Sequence, residues 1–359
     1  MKRVALGISG GIDSSTSALL LKQQGYEVIG LHLTKWDAAS GIVTQDKHGC
    51  FGPGEKNATR DAQKACEILG IPFHIIDLRE EYNRIILGYF RDEYLAGRTP
   101  NPCTRCNRYI KFGLLWQKAR DMGIEFDYFA TGHYARTRFD EQSKRWQLLR
   151  AKDISKDQSY FLGLLSQEQL SQTIFPLGSY LKSEVRELAA SFGLEYFNKK
   201  RESQDFLEAN DPSPLFANNP SEPGDFVDQQ GKVLGRHRGI IHYTIGQRKH
   251  LGVAGFAQPM HVVAIDADKN RITLGPEPLL ASSTLRAREV NWVSIDPPSA
   301  TLTCLAKIRN AHKPVPCHAS WENDQALQVD FDAPQNAITP GQLLALYDGD
   351  VLLAAGTIQ

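Results

Sequence analysis

Two short segments hold side chains whose order could do chemistry. The first is Ser9-Gly10-Gly11-Ile12-Asp13-Ser14-Ser15, directly after the apolar run Val4-Ala5-Leu6-Gly7-Ile8. Two glycines allow a tight turn whose successive N–H groups converge on an anion. A helix expected over roughly Ser14–Gln24 turns the positive end of its dipole to the same point. Ser9, Ser14 and Ser15 add hydroxyl donors, and Asp13 could hold a metal ion that bridges phosphate oxygens. No Gly-Lys-Ser/Thr follows, so this is not a Walker loop. A plain glycine turn of an α/β protein is the alternative.

The second segment is Gly97-Arg98-Thr99-Pro100-Asn101-Pro102-Cys103-Thr104-Arg105-Cys106-Asn107. Two prolines stiffen the backbone ahead of a C-x-x-C pair, and a helical pattern begins near Ile110. Arg105 and Arg108 adjoin the thiols, a setting expected to bias them towards thiolate. Such a pair suits a nucleophile, a redox couple or a metal ligand set. A structural zinc site would need a second paired motif, and the sequence has none. Cys66, Cys304 and Cys317 fall in apolar patterns and read as small buried hydrophobes. Cys50 lies in Trp36–Asn57, a glycine-bearing stretch of little periodicity that reads as a long mobile loop.

The elements that must position these residues alternate. Strand patterns cover Glu27–Leu33, Phe73–Asp77 and Tyr128–Thr131; helical patterns cover Ala58–Leu69, Glu80–Ala96 and Phe112–Met122. This predicts an α/β fold, a parallel sheet with helices on both faces. Ligands in such sheets sit at the carboxyl ends of strands, where the Ser9 loop, Leu33 and Gly132 fall. A helical region spans about Ser166–Phe192, and the pattern dissolves between Glu202 and Pro223. Short strands are then expected at Val227–Val233, His242–Gln247, His261–Asp266 and Arg271–Leu274. The last ~85 residues read as a small all-β barrel or sandwich, with turns at Asn323-Asp324 and Asp348-Gly349. The domains expected are 1–202, 203–275 and 276–359.

Lys+Arg and Asp+Glu are both 41 among 359 residues, so there is no net charge. Any nucleic-acid site must then be a local patch. No apolar run approaches the ~20 residues of a membrane span, and no signal-peptide profile opens the chain. Six cysteines without an export signal point to the reducing cytoplasm rather than a disulfide framework.

The motif S-G-G-x-D-S-S resembles the PP-loop of ATP pyrophosphatases, which adenylate a substrate and release pyrophosphate. Further segments match in order: Thr99–Phe112, Thr131–Tyr134, Ser155–Phe161, Phe175-Pro176-Leu177-Gly178, His242–Lys249 and Thr339–Gln342. Together with Gly7–Ser15 they resemble the tRNA-specific 2-thiouridylase family (MnmA/TrmU) over nearly the full length. The resemblance implies a PP-loop catalytic domain, a central tRNA-binding domain and a C-terminal β-barrel. It also implies ATP, Mg²⁺ and a reaction: adenylation of the C2 oxygen of the wobble uridine (position 34), then displacement of AMP by sulfur. A carbonyl oxygen leaves poorly until joined to phosphate, and Mg²⁺ neutralises the departing pyrophosphate.

By motif position, Gly7, Ile8, Ser9, Gly10, Gly11, Ile12, Asp13, Ser14 and Ser15, with Leu33 and Gly132, bind ATP. Asp13 is placed at the Mg²⁺–pyrophosphate region. Asn101, Pro102 and Cys103 face the target base, with Cys106 as nucleophile or sulfur carrier and Cys103 as its partner. His133, Lys156, Asp157, Gln158, Arg309, Asn310 and Gln342 match tRNA-contact positions. The implied partners are the anticodon stem-loop, whose splayed bases favour a shaped pocket, and a sulfur donor protein or sulfide. His250, after Gln247-Arg248-Lys249, stands where the family usually has glycine.

One position departs from the pattern. The family carries a second catalytic cysteine two residues beyond a Ser-Gln-Asp triplet; here Ser203-Gln204-Asp205 is followed by Phe206 and Leu207. A leucine neither carries a persulfide nor ligates iron. Cys103 and Cys106 then act as a vicinal pair, or Cys50, Cys103 and Cys106 ligate a 4Fe–4S cluster with one iron open to sulfide. Alternatively, the chain keeps only tRNA or nucleotide binding. A different PP-loop adenylating enzyme, such as an amidotransferase synthetase, is the competing activity.

Overall fold

The structure, a computed structural model, describes residues 1–198, 205–322 and 326–359. Ser203, Gln204 and the expected Asn323-Asp324 turn lie outside them.

Five parallel strands form the first sheet: β1 (Arg3–Gly7), β2 (Glu27–Thr34), β4 (Phe73–Asp77), β5 (Tyr128–Thr131) and β8 (Thr173–Ile174), in the order β4-β2-β1-β5-β8. Alternate residues of β1 feed two cores. Val4 and Leu6 pack with helix α1 (Ile12–Gln23) and helix α2 (Glu55–Leu69), while Ala5 packs with helical residues 79–95 and 106–119. Burial on both faces is why β1 is apolar at every position from Val4 to Leu6. The chain builds from β1 through β2 to β4, then returns to β5 on the other side of β1. The order therefore reverses between β1 and β5, where a crevice opens at the strand ends.

The Trp36–Asn57 stretch is not a free loop. It holds a short 3-10 turn (Ala38–Ser40), a strand β3 (Gly49–Phe51) and the start of α2. Strand β3 pairs in parallel with β9 (Asp205–Leu207), placing Phe51 opposite Leu207. The Glu55 carboxylate accepts the N–H groups of Lys35 and Trp36 at 3.0 and 3.1 Å. These partners are remote in sequence and leave no local periodicity. The expected helical region at Ser166–Phe192 divides into Gln167–Ser171 and Lys182–Ser191 around β8.

A hairpin with no strand expectation, β6 (Ala135–Asp140) and β7 (Arg145–Arg150), leaves the first sheet and joins the last. Between them in sequence and the barrel lies a four-stranded sheet of β10 (Gly224–Val227), β11 (Val233–His237), β12 (His261–Asp266) and β13 (Arg271–Gly275). The expected strand Val227–Val233 is instead the turn joining β10 to β11, where Asp228 accepts the N–H groups of Gln230 and Lys232. His242–Gln247 is likewise not a strand: a 3-10 turn occupies Ile240–His242, and Gly246 adopts φ +86°.

The C-terminal strands are β14 (Ala281–Trp292), β15 (Leu302–Lys307), β16 (Val315–Glu322), β17 (Ala326–Asn336), β18 (Leu343–Asp348) and β19 (Val351–Ile358). They run β14-β17-β16-β15-β18-β19, and β14 pairs back to β19. The sheet is a closed six-stranded barrel rather than a sandwich, and closure removes its free edges. Cys304 and Cys317 face each other across β15 and β16 as buried thiols.

The barrel grips the cysteine-bearing segment. Thr99 N–H donates to the Pro340 carbonyl at 2.8 Å, and Gln342 Nε2 donates to the carbonyls of Thr99 and Pro100 at 3.0 and 3.1 Å. Gly341 sits between at φ +90°, where a Cβ would come within 2.7 Å of the Thr99 carbonyl oxygen. Tyr160 OH donates to the Leu343 carbonyl at 2.7 Å. Among the described residues no helix is long and apolar enough to cross a membrane.

Candidate nucleotide and thiol site

The Ser9–Ser15 loop emerges from β1 at the reversal point. Gly10 has φ +76° and lies against α2, so close that a Cβ would fall 2.5 Å from the Ala58 carbonyl oxygen. Helix α1 starts at Ile12, two residues earlier than its pattern suggested, and Gly11 precedes it without a side-chain cap. Ser9 is exposed, and Gly11 and Asp13 are half-buried, so this helix start opens into the crevice. The serines differ in use. Ser15 is wholly buried and its hydroxyl donates to the Gly11 carbonyl at 2.9 Å. Ser14 donates to the same carbonyl at 3.1 Å and accepts the Ser9 N–H at 3.2 Å. Both hydroxyls brace the loop.

Asp13 is held from two sides. Lys182 Nζ lies 2.7 and 2.8 Å from its carboxylate oxygens, and Tyr134 OH donates to it at 2.8 Å. The Lys182 side chain is only 8% exposed. Gly132, after β5, packs directly on the start of α1: a Cβ would stand 2.8 Å from Ser14 N. Leu33, near the end of β2, is half-buried against the core. Gly7–Ser15, Leu33 and Gly132 therefore gather at the carboxyl ends of β1, β2 and β5. Backbone N–H groups at a helix start suit phosphate, and a carboxylate beside them suits a hard divalent cation. The residues fit Mg²⁺-ATP.

The C-x-x-C pair lies within a helical turn that begins at Pro102, well before Ile110, with Asn101 preceding it. Proline suits that first position because its missing N–H would be unpaired there anyway. Thr104 OH donates to the Asn101 carbonyl at 2.8 Å. Cys103 is half-buried and Cys106 only 6% exposed. The expected thiolate bias is not found. Burial pushes the Cys103 thiol up to about 12 and raises Cys106 as well. The neighbouring arginines are committed elsewhere: Arg105 pairs with Glu289 and lies over the Tyr89 ring, and Arg108 donates to the Leu164 carbonyl at 2.9 Å. Lys111 opposes the burial effect at both thiols, and Lys35 does so at Cys106.

Cys50, half-buried on β3, completes the group: its charge acts on both Cys103 and Cys106. The Tyr82 hydroxyl is wholly buried, and what it meets are the thiols of Cys50 and Cys106, weak acceptors. No three His, Cys, Asp or Glu among the described residues converge as ligands of one metal ion. The helix bearing Cys106 meets His133, the residue after Gly132, through the Phe112 ring, 6.1 Å from the imidazole.

The other expected RNA contacts are dispersed. His133 bonds Thr131 Oγ1 at 2.7 Å and lies among the rings of Phe112 and Phe175; burial holds its imidazole neutral, well below the usual histidine range. Asp157 accepts the N–H groups of Ala151 and Ser159 at 3.0 and 3.2 Å and so holds the two backbone segments together, while Gln158 stands at the cap position of the Ser159–Leu162 helix. Gln158 exchanges hydrogen bonds with the backbone of Tyr134, and half-buried Lys156 precedes them. Arg309 donates to the Asn336 carbonyl at 3.1 Å, Asn310 is exposed, and Gln342 is the tether to Thr99 and Pro100. His250 adopts φ +61°, a conformation that glycine enters without strain. Sequence reasoning passed over Lys182, Tyr134, Tyr82, Lys111 and the Lys35–Glu55 pair. Each acts through a neighbour remote in sequence or one turn away, and none stands in a spacing pattern.

Residues 2–207 match the family model described as the tRNA methyl transferase HUP domain. Residues 215–276 match its PRC-barrel domain, and 282–358 match the aminomethyltransferase beta-barrel domain. A tRNA-specific 2-thiouridylase MnmA of Endomicrobium trichonymphae is 44% identical over 360 residues, 99% of this chain and 98% of that protein. The protein of the same name from Acetivibrio thermocellus is 42% identical over 363 residues, 100% of this chain and 99% of its own. That of Clostridioides difficile is 42% identical, with 100% and 98% covered.

Proposed function

The chain belongs to the tRNA-specific 2-thiouridylase family, and on that footing we propose that it uses ATP to replace the C2 oxygen of the wobble uridine of tRNA with sulfur. The observation that carries this reading is that an anion-binding helix start and a thiol-bearing helical turn stand in one domain, joined where Phe112 packs on His133, the residue after Gly132. Residues 1–202 form the catalytic domain, 203–275 a central tRNA-binding domain and 276–359 the barrel domain. The six free cysteines suit a protein working in the reducing cytoplasm.

ATP binds along Gly7–Ser15, with Leu33 and Gly132 against the adenosine and Asp13 holding Mg²⁺. The uridine enters between this loop and Asn101-Pro102-Cys103. Its C2 oxygen attacks the α-phosphorus and pyrophosphate leaves, its charge met by the N–H groups of the loop and the end of the α1 dipole. Sulfur then adds at C2, and AMP departs. Cys106 is the nucleophile or sulfur carrier, Cys103 is its partner, and Lys111 favours the thiolate that each must become. His133, Lys156, Asp157, Gln158, Arg309, Asn310 and Gln342 line the tRNA path, some by shaping its surface. A sulfur donor protein or sulfide supplies the atom.

The three neighbouring thiols favour one second reading, a 4Fe–4S cluster held by Cys50, Cys103 and Cys106, in which thiolates bind separate irons. Iron and acid-labile sulfide in anaerobically purified protein decide between the two. The main proposal is tested with a transcript bearing a wobble uridine: pyrophosphate release must depend on it, and 2-thiouridine must appear in its digest. Pyrophosphate release indifferent to tRNA would instead favour another adenylating enzyme.

A further inference from the structure

Leu207 occupies the place where a second sulfur-handling thiol was expected, yet the ladder around it brings a thiol to the same spot from another strand. Phe51 and Leu207 face each other in the β3–β9 pair, and both are buried in the core with Tyr82 and Cys106. Cys50 precedes Phe51, and the Phe206 ring lies 6.3 Å from that of Phe51, against the same core. Cys50 Sγ lies 3.5 Å from the Phe206 carbonyl oxygen. The ribbon is fixed at its end by Glu208, whose carboxylate accepts the Gly54 N–H at 2.7 Å at the start of α2. Glu208 N–H also donates to the Phe51 carbonyl at 3.0 Å.

The second observation is Tyr82. Its ring stacks on Phe51 with centroids 5.4 Å apart and planes 4° from parallel. Its hydroxyl is wholly buried, and what it meets there are the thiols of Cys50 and Cys106. A thiol is a weak acceptor, so a buried donor held among thiols favours a better acceptor in their place. That acceptor must be small enough to fit among thiols and must accept a hydrogen bond better than a neutral thiol. A persulfide sulfur anion meets both conditions.

We propose that Cys50 is the sulfur-carrying thiol of this enzyme, that Tyr82 positions the carried sulfur by hydrogen bonding, and that Cys106 resolves the transfer. The assignment rests on the 2-thiolation reading. In the first step the Cys50 thiolate attacks the outer sulfur of a persulfide donor, and the donor thiolate leaves; no net oxidation occurs. In the second, the outer sulfur on Cys50 adds at C2 of the adenylated uridine, and the C–O bond breaks with its electron pair going to AMP. In the third, the Cys106 thiolate attacks the inner sulfur of Cys50. The S–S bond breaks towards the nucleoside, leaving 2-thiouridine and a Cys50–Cys106 disulfide. The transferred sulfur has been reduced by two electrons and the two thiols oxidised by two; an external dithiol restores them.

The test uses the full chain, ATP, Mg²⁺, inorganic polysulfide as donor and a wobble-uridine transcript, in one turnover without reductant. Wild-type protein should yield a Cys50–Cys106 disulfide on non-reducing peptide mapping. Cys106→Ser should trap Cys50 joined through two sulfurs to C2 of the nucleoside, and without transcript should retain Cys50 heavier by one sulfur atom. Cys50→Ser should lose 2-thiouridine by roughly 100-fold while tRNA-dependent pyrophosphate release persists, and Leu207→Cys in that background should restore part of it. Tyr82→Phe should move the pH profile of sulfur transfer to more alkaline values, as loss of the donor weakens the anion. Full activity of Cys50→Ser, sulfur retained on Cys103 or Cys106 instead, or stoichiometric iron and labile sulfide would each overturn the assignment. Absence of tRNA-dependent pyrophosphate release in wild type would overturn the 2-thiolation reading itself.

Discussion

Lys182 Nζ is bonded to both carboxylate oxygens of Asp13, at 2.7 and 2.8 Å, across 169 residues of sequence. A nearly buried ammonium thus neutralises the carboxylate that faces the phosphate loop. On the proposed reading, Mg²⁺ would be held by this carboxylate, and the ammonium would then stand in the same crevice as a second positive charge to offset that of the pyrophosphate.

Lys182→Met should therefore slow tRNA-dependent pyrophosphate release by roughly 100-fold, the order expected on removing one positioned charge stabiliser. Lys182→Arg should retain part of it. Stopped-flow pyrophosphate detection measures both, and an unchanged rate in the methionine variant would remove Lys182 from the reaction.

Gly341→Val combines a strained φ of +90° with a side chain pressed on Thr99. It should loosen the grip of the barrel on the Thr99–Cys106 segment and lower sulfur transfer more than ATP binding. Gln342→Ala should do the same more mildly, by about 1 kcal/mol for its lost hydrogen bonds. Hydrogen exchange at residues 99–106 is the check: protection equal to wild type in both variants would refute the tether.

The thiol at Cys103 is pushed up to about 12 by burial. Only the thiolate reacts, so alkylation of Cys103 should rise about tenfold per pH unit from pH 7 to 10 without a plateau. Lys111→Met removes a charge that favours the thiolate and should lower the whole line. A plateau near pH 8 would contradict the burial effect.

His133 is held neutral by burial, with Lys111 adding to the effect. Below about pH 6.5 the unfolded chain gains a proton that the folded site refuses, so stability falls with acidification until the depressed folded value is reached. Above that window the contribution is fully present. Urea midpoints at pH 7.5 and 5.5 should separate more for wild type than for His133→Gln; equal separations would argue against a neutral buried imidazole.

The parallel sheet and the site of its crevice are legible in sequence because they rest on local signals: an apolar run, two glycines, a helix pattern. The barrel is legible as alternating strands and tight turns, although its closure is not. What escapes are relations between distant short pieces. Three residues of β3 find three of β9 some 156 positions away, and neither piece is long enough to show a period. The β6–β7 hairpin takes its meaning from β19, at the far end of the chain. The thiolate expectation fails similarly: Arg105 and Arg108 adjoin the cysteines in sequence, but Glu289 and the Leu164 carbonyl claim them in space.

The hold of Gln342 on Thr99 and Pro100 spans more than 240 residues, and this sets a timetable for synthesis. The nucleotide half leaves the ribosome early and can form its sheet at once. The turn bearing Cys103 and Cys106 stays without its clasp until residues 340–343 have been made. A growing chain therefore has its glycine loop before it has a finished thiol turn, and the two parts of the site come together only once the barrel segment has been made.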